Sequence, residues 1–178
     1  PGYNVDIVND DGAILPDGEI GHIAINTQGW WPAGLFHGYL KDGVLITNAF
    51  KNGWYFTGDT ASRDADGYLW FVGRSDDLIS SAGYRISPFE VESALLEHEA
   101  IAESAVIGKE DATRGQIVKA FIVLASGHTA SDVLSKEIQE FCKKLTAPYK
   151  YPREISFVQD LPKTISGKIR RVELRNDS

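Results

Sequence analysis

The sequence predicts an α+β protein in two parts: a small antiparallel β subdomain, partly barrel-like, over residues 1–75, and a compact domain with a small mixed sheet flanked by helices over residues 76–178. Three observations carry this. Up to Val72 apolar residues alternate with polar ones between Asp-Gly turns, with no helical repeat. The polar run Arg74-Ser75-Asp76-Asp77 then separates one apolar segment from the next, which is where a domain boundary belongs. Beyond it, stretches with helical spacing interleave with short apolar runs, the pattern of strands covered by amphipathic helices.

Taken in order, Tyr3, Val5 and Ile7 alternate with polar neighbours, Asp11-Gly12 and Asp17-Gly18 supply turns, and Ile23 and Ile25 resume the alternation. Gly29 to Gly38 is rich in glycine and aromatics without a period, and Trp30-Trp31-Pro32 cannot lie inside a helix, so this stretch reads as loop with short extended pieces. Trp54-Tyr55-Phe56 form an aromatic strand that Thr57-Gly58-Asp59 ends in a turn. Asp66-Gly67 makes a hairpin into the strand Tyr68 to Val72. In the second part, Ser87-Pro88 with Glu90 spells a capping box with proline at the first helical position, so a helix starts at Pro88 and runs to about Glu99, with Phe89, Leu95 and Leu96 inward. Strands follow near Ser104 to Ile107 and Ile117 to Leu124. A second helix starts near Ser131, its Leu134, Ile138, Phe141, Cys142 and Leu145 falling at helical spacing. Pro148 and Pro152 enforce extended chain before a strand at Ile155 to Val158, and a short helix spans Ile169 to Arg175.

Composition excludes several function classes. The 178 residues hold no apolar run long enough to cross a bilayer. A single cysteine, Cys142, rules out an internal disulfide, fits a reducing, intracellular setting, and reads as a small core hydrophobe. The four histidines, His22, His37, His98 and His128, lack metal-ligand spacing, so no metal site is expected. No methionine occurs, even at position 1, so the chain looks like part of something longer and no targeting peptide is legible. The net charge of −7 argues against a nucleic-acid partner, yet it is uneven: Lys143 to Arg175 carries nine Lys or Arg against Glu154, Asp160 and Glu173. A basic tail on an acidic body suits either a phosphate site or a solvated face.

Three stretches carry chemistry. In Leu161 to Arg170, Lys168 follows Gly167 in a polar loop among Lys163, Arg170 and Arg171, a flexible point charge suited to a phosphate or carboxylate. This is no Walker A loop, since Pro162 and Ile169 stand where glycine and Ser or Thr are required. Asp59, after Gly58 at a strand end, can accept two hydrogen bonds from vicinal hydroxyls such as those of a ribose. Gly83 lies in the turn before the Pro88 helix.

Tyr55-Phe56-Thr57-Gly58-Asp59, then Gly73-Arg74-Ser75-Asp76-Asp77 leading to Gly83-Tyr84-Arg85-Ile86 and Glu90-Val91-Glu92, then Pro162-Lys163-Thr164 with Gly167-Lys168, occur in the order and spacing of the adenylate-forming superfamily. The chain resembles the C-terminal third of an AMP-forming acyl-CoA synthetase. Gly34-Leu35-Phe36 with Gly38-Tyr39, and Ala147 to Arg153, look most like the medium-chain branch.

The resemblance implies that residues 1–75 are the C-terminal β part of a large adenylating domain and 76–178 a mobile lid domain. Such enzymes join a carboxylic acid to ATP, with Mg2+, and pass the acyl group from AMP to coenzyme A. By correspondence, Lys168 bridges carboxylate and α-phosphate in the first step, Asp59 holds the ribose hydroxyls, Arg74 assists at ribose or phosphate, and Asp76 is the hinge. After rotation the Gly83 loop lines the thiol channel and Arg85 meets coenzyme A phosphates, with Arg114, Lys143 and Tyr151 as further coenzyme A contacts from the medium-chain branch. Asp77 supports the hinge, while a helix cap and ordinary surface charge account for Glu90 and Glu92. The phosphate-grasping loop and the adenine and acyl pockets of the family are not in this sequence, so the chain alone is expected not to turn over, and its partner is the missing N-terminal part of the polypeptide. The cytoplasm and the mitochondrial matrix both fit. A carrier-protein-loading adenylation domain and a non-catalytic anion-binding or interaction module are the alternatives.

Overall fold

In the computed structural model, which describes residues 2–176, the chain divides into two compact units, Pro1–Asp76 and Asp77–Ser178. The first contains strands β1 (Val5–Val8), β2 (Gly21–Asn26), β3 (Tyr39–Lys41), β4 (Val44–Ile46), β5 (Phe50–Lys51), β6 (Trp54–Arg63) and β7 (Leu69–Arg74). β1, β2, β6 and β5 lie side by side, β7 pairs with β6, and every pairing is antiparallel. β3 and β4 form a separate hairpin whose Asp42-Gly43 turn has both residues at positive φ, the geometry that matches strand twist. Val8, Ala24 and Trp54 make the small core, while Arg63 ties strand ends through Asp6 at 2.5 Å and Asp17 at 2.8 Å. The aromatic loop has a purpose that periodicity could not reveal: Trp31, Phe36 and Tyr39 pack with Phe50 and Tyr55 as a ring cluster against β5 and β6.

The second unit contains β8 (Ile79–Ser81), β9 (Tyr84–Ile86), α1 (Pro88–Leu96), β10 (Ile101–Asp111), β11 (Gly115–Leu124), α2 (Asp132–Leu145), β12 (Glu154–Phe157) and α3 (Arg171–Asn176). β10 and β11 form a long hairpin, β8 joins β11 near Gly115, and β12 runs parallel to β11, so the sheet is mixed as expected. Strand alternation gives the sheet two working faces. Val106, Val118, Ala120 and Ile122 point to one, where Val91, Ala94 and Leu95 of α1 and Ile138 and Cys142 of α2 cover them. Ala105, Ile107 and Phe121 point to the other, under Leu161, Ile169 and Leu174.

Several local expectations are corrected. α1 ends at Leu96, and Phe89 and Leu96 are exposed; Val91, Glu92, Ala94 and Leu95 are its buried side. Ser87 does not close the cap through its side chain, and Glu90 reaches Lys150 at 2.5 Å instead of the helix start. β10 is much longer than Ser104 to Ile107, because its partner β11 sustains pairing to Asp111. α2 is capped by Ser131, whose Oγ accepts from the Leu134 N–H at 3.1 Å, but Leu145 lies exposed. Cys142 is buried, and burial pushes its thiol pKa up, as befits a core residue.

The face bearing Phe121 also holds a charge group. Lys119, buried, donates to Glu154 at 2.9 Å, and Lys109 reaches the same carboxylate at 2.8 Å. Hydrogen bonds from Lys109 and then Lys119 hold the Glu154 carboxyl below the usual glutamate range. An acid lowered by folding stabilises the fold above its unfolded pKa, about 4.3, and that contribution is lost as pH falls through the lower folded value. Glu154→Gln should therefore lower stability at pH 7 by about 1–3 kcal/mol, since Lys119 keeps its charge in a buried place with only a neutral acceptor. Urea melts at pH 7 and at pH 3 test this: the difference between the two proteins should narrow at the lower pH.

Candidate functional site

The residues singled out from sequence fall in three clusters, one in the first unit and two in the second. In the first, Thr57-Gly58-Asp59 is not the expected turn. It lies within β6, where His22 and Ala24 of β2 pair with Thr60 and Phe56, so that two steps on one strand oppose four on the other. This is a bulge, and Gly58 with φ +86° is the residue that permits it. Asp59 is thereby turned to pair in register with Arg74, whose Nη1 stands 3.6 Å from its carboxylate; Arg74 Nε also donates to Asp76 at 3.2 Å. A Cβ on Gly58 would lie 3.0 Å from the guanidinium nitrogens, so the glycine is also what lets Arg74 lie across this strand. Ser75 closes the arrangement from below, its N–H and Oγ both donating to the Gly58 carbonyl. Asp59 and Arg74 thus form a half-exposed acceptor and donor side by side, able to engage vicinal hydroxyls and an anionic group. Nearby, burial and then the hydrogen bond with Tyr39 push the Tyr55 phenol up to about 12, so it is neutral and cannot compete as an anion.

The second cluster is built on the β8–β9 hairpin, whose turn residues Ala82 and Gly83 both have positive φ. The Ala82 N–H donates to the Arg114 carbonyl at 2.9 Å, fixing the tip to the β10–β11 turn. Among the described residues, no heavy atom apart from those of its two chain neighbours comes within 4 Å of where a Gly83 Cβ would stand, so within this unit the backbone there is open to approach. Tyr84 stacks on Tyr149, ring centroids 4.0 Å apart, and Arg85 is exposed on the opposite face of β9. Lys143 lies 4.3 Å above the Tyr151 ring, with the Arg153 guanidinium 5.0 Å from the same ring, so two cations and an aromatic make one patch. The hydrogen bond to Glu140 holds the Lys143 ammonium above the usual lysine range, so Lys143 already has a carboxylate partner that an anionic ligand would have to displace. The structure therefore brings the turn at Gly83 to the Arg114 carbonyl and Lys143 to Tyr151, and the Tyr84–Tyr149 stack joins the hairpin to the segment before Tyr151.

The third cluster is the lysine loop. The Thr164 N–H donates to the Lys168 carbonyl at 2.8 Å, the Lys168 N–H to Thr164 Oγ1 at 3.1 Å, and the Arg170 N–H to Pro162 carbonyl bond seals the base of the loop. Gly167, at φ +81°, makes the turn that points Lys168 outward. Lys168 is exposed, and among the described residues its ammonium meets no carboxylate, leaving it available to an incoming anion.

Sequence reasoning missed one group entirely. Glu92, expected to be a surface charge, is 7% exposed and receives both a 2.8 Å bidentate contact from Arg171 and the Val106 N–H at 2.7 Å. Burial holds the Glu92 carboxyl above the usual glutamate range, opposed by the hydrogen bonds and charge of Arg171. Arg171 also donates to the Val106 carbonyl and to Asp77, which Arg175 holds as well. The signal was the helical spacing of Val91 and Leu95, which flank Glu92 and turn it inward.

Residues 90–168, from α1 to the lysine loop, match the AMP-binding enzyme C-terminal domain. The chain is related to the acyl-coenzyme A synthetases over nearly its whole length. It is 53% identical to the mitochondrial acyl-coenzyme A synthetase ACSM3 of Rattus norvegicus over 177 residues, and 49% identical to the mitochondrial ACSM5 of Homo sapiens over 178. These alignments take in 98% and 99% of this chain but 30% and 31% of those proteins, so the chain spans just under a third of the length of the relatives it matches. Among solved structures, an ATP-bound RpMatB-BxBclM chimera superposes with a TM-score of 0.85 at 33% identity, and the anthranilate CoA ligase AuaEII in complex with anthranoyl-AMP with 0.80 at 40%. Each match covers 99% of this chain, and 34% and 33% of the other.

Gly58→Ala tests the first cluster. The added methyl must adopt a left-handed backbone and displace the Arg74 guanidinium, so denaturant unfolding should show a loss of about 1–2 kcal/mol.

Proposed function

We propose that this chain is part of an AMP-forming acyl-CoA synthetase that activates a medium-chain fatty acid with ATP and transfers the acyl group to coenzyme A. In this reading residues 1–76 complete a large adenylating domain, and the second unit is its mobile lid, turning about the bond that joins Asp76 to Asp77. The observation that carries it is the arrangement of two chemistries on one sheet. The Lys168 loop rises from the face bearing Phe121, at the end where Lys163 pairs with Glu103 at 2.6 Å. The Gly83 hairpin joins at the other end, where Ser81 pairs with Gly115. Glu103 and Asp111, the partner of Gly115, are eight strand residues apart, about 26 Å. A rigid body that carries a cation and an open backbone so far apart, on different sides, can serve one reaction centre with both only by turning.

Adenylation joins two anions, so its barrier is largely electrostatic. A carboxylate oxygen attacks the α-phosphorus and pyrophosphate leaves; Lys168 would stand between carboxylate and phosphate oxygens as charge accumulates, a role worth about 3–4 kcal/mol in comparable sites. Asp59 would accept from the ribose hydroxyls and Arg74 would attend the ribose or phosphate edge. In the second step the thiol sulfur attacks the acyl carbonyl and AMP leaves. Here the bare Gly83 backbone would border the pantetheine path, with Arg85, Arg114, Lys143 and Tyr151 receiving the phosphates and adenine of coenzyme A. Among the described residues no three acidic, His or Cys side chains gather for a metal ion. Among them too, no helix is long and apolar enough to cross a membrane. Kinship with mitochondrial relatives favours the mitochondrial matrix over the cytoplasm, and the likeness of residues 34–39 and 147–153 to the medium-chain branch favours free coenzyme A over a carrier protein as acceptor.

In the full-length enzyme, Lys168→Ala should lower acid-dependent pyrophosphate exchange by about 10² or more while sparing thioester formation from supplied acyl-adenylate, and Gly83→Leu should do the reverse. Damage by both substitutions to the same half-reaction would defeat the two-face reading.

A further inference from the structure

We propose that Arg171 is a positioning residue for Lys168, fixing the direction in which the lysine loop projects; the inference rests on the role given to Lys168 above. The loop has two stems. Its entry is held by buried Leu161 and by the exposed Lys163–Glu103 pair, a contact of the kind that water screens. Its exit passes directly into Arg171, three positions after Lys168, and this side chain is 9% exposed. One guanidinium there meets three separate segments: Glu92 of α1 through two 2.8 Å bonds, the Val106 carbonyl of β10 at 3.3 Å, and Asp77 at 3.3 Å. It also lies 4.5 Å from the Phe89 ring centroid.

The choice of arginine follows from that geometry. β10 pairs with β11 on one side only, so the Val106 N–H and carbonyl stand on its outer edge, and Glu92 and Arg171 satisfy them. The planar guanidinium aims Nη2 at the Glu92 carboxylate, Nε at the Val106 carbonyl and Nη1 at Asp77; a lysine ammonium, with one nitrogen, cannot span all three. The exit stem of the loop is thus locked by directional bonds in a buried place, whereas Lys168 itself is left free to meet substrate. An error of about 1 Å in where a catalytic group stands can cost on the order of 10²-fold in rate.

The test uses the full-length enzyme, with rates normalised to the folded fraction measured by thermal melting. Arg171→Lys, which keeps the charge, should slow acid-dependent pyrophosphate exchange by at least about tenfold and leave thioester formation from supplied acyl-adenylate within about twofold. Glu92→Gln keeps an acceptor for the Val106 N–H but weakens the hold on Arg171; it should slow the exchange by about three- to tenfold with the same selectivity, and it decides the matter if Arg171→Lys does not fold. Equal losses in both half-reactions, the mark of a merely structural role, or an unchanged exchange rate would overturn the proposal. Lys168→Ala is assayed alongside. If it retains exchange, the reading of the site fails and this inference with it; if it loses exchange while Arg171→Lys and Glu92→Gln do not, the inference alone fails.

Discussion

The β10–β11 hairpin is the constraint on which the second unit depends. Its ladder runs from Ile101 to Asp111 on one strand and back to Leu124 on the other, and everything chemical in the unit is attached to one end or one face of it. Because successive side chains alternate, the same ten-residue strand that buries Val118, Ala120 and Ile122 under α1 and α2 presents Lys119 and Phe121 to the opposite side. A one-residue slip would exchange the two faces, carrying Lys119 under the helices and Val118 onto the charge cluster. The register is therefore as much a functional specification as a structural one.

Much of this architecture was legible in the sequence. The division near residue 76, the Pro88 helix, the Ser131 cap and the β character of the first unit follow from turn chemistry and periodicity, which are local. What could not be read was set by partners far away in sequence. Glu92 looked like surface charge because nothing near it announces Arg171, 79 positions on. Thr57-Gly58-Asp59 looked like a turn because Gly-Asp usually is one, and only the pairing of β6 with both β2 and β7 turns it into a bulge. The Ser87 capping box had the right letters, yet Lys150 offers Glu90 a full charge that the backbone cannot match.

The candidate site residues divide along the same line. Lys168 and Asp59 drew attention through the glycine and charge beside them in the sequence, weak signals singly, and Arg74 through the resemblance. That Lys143 and Tyr151 share a patch with Arg153, or that Ala82, beside Gly83, is tied to the Arg114 backbone, is a tertiary fact that residue types alone do not contain. Kinship supplied the chemistry to expect; the sheet sets the lysine loop and the Gly83 hairpin toward its two ends.

Asp76 and Asp77 are neighbours in sequence whose carboxylates are claimed by different cations, Arg74 in the first unit and Arg171 with Arg175 in the second. Between the two claimed residues the rotatable backbone angles are ψ of Asp76 and φ of Asp77, the peptide link itself being planar. Steric exclusion confines those two angles to a few wells. In the proposed turning of the lid about this bond, the orientations on offer are counted in wells of a Ramachandran map.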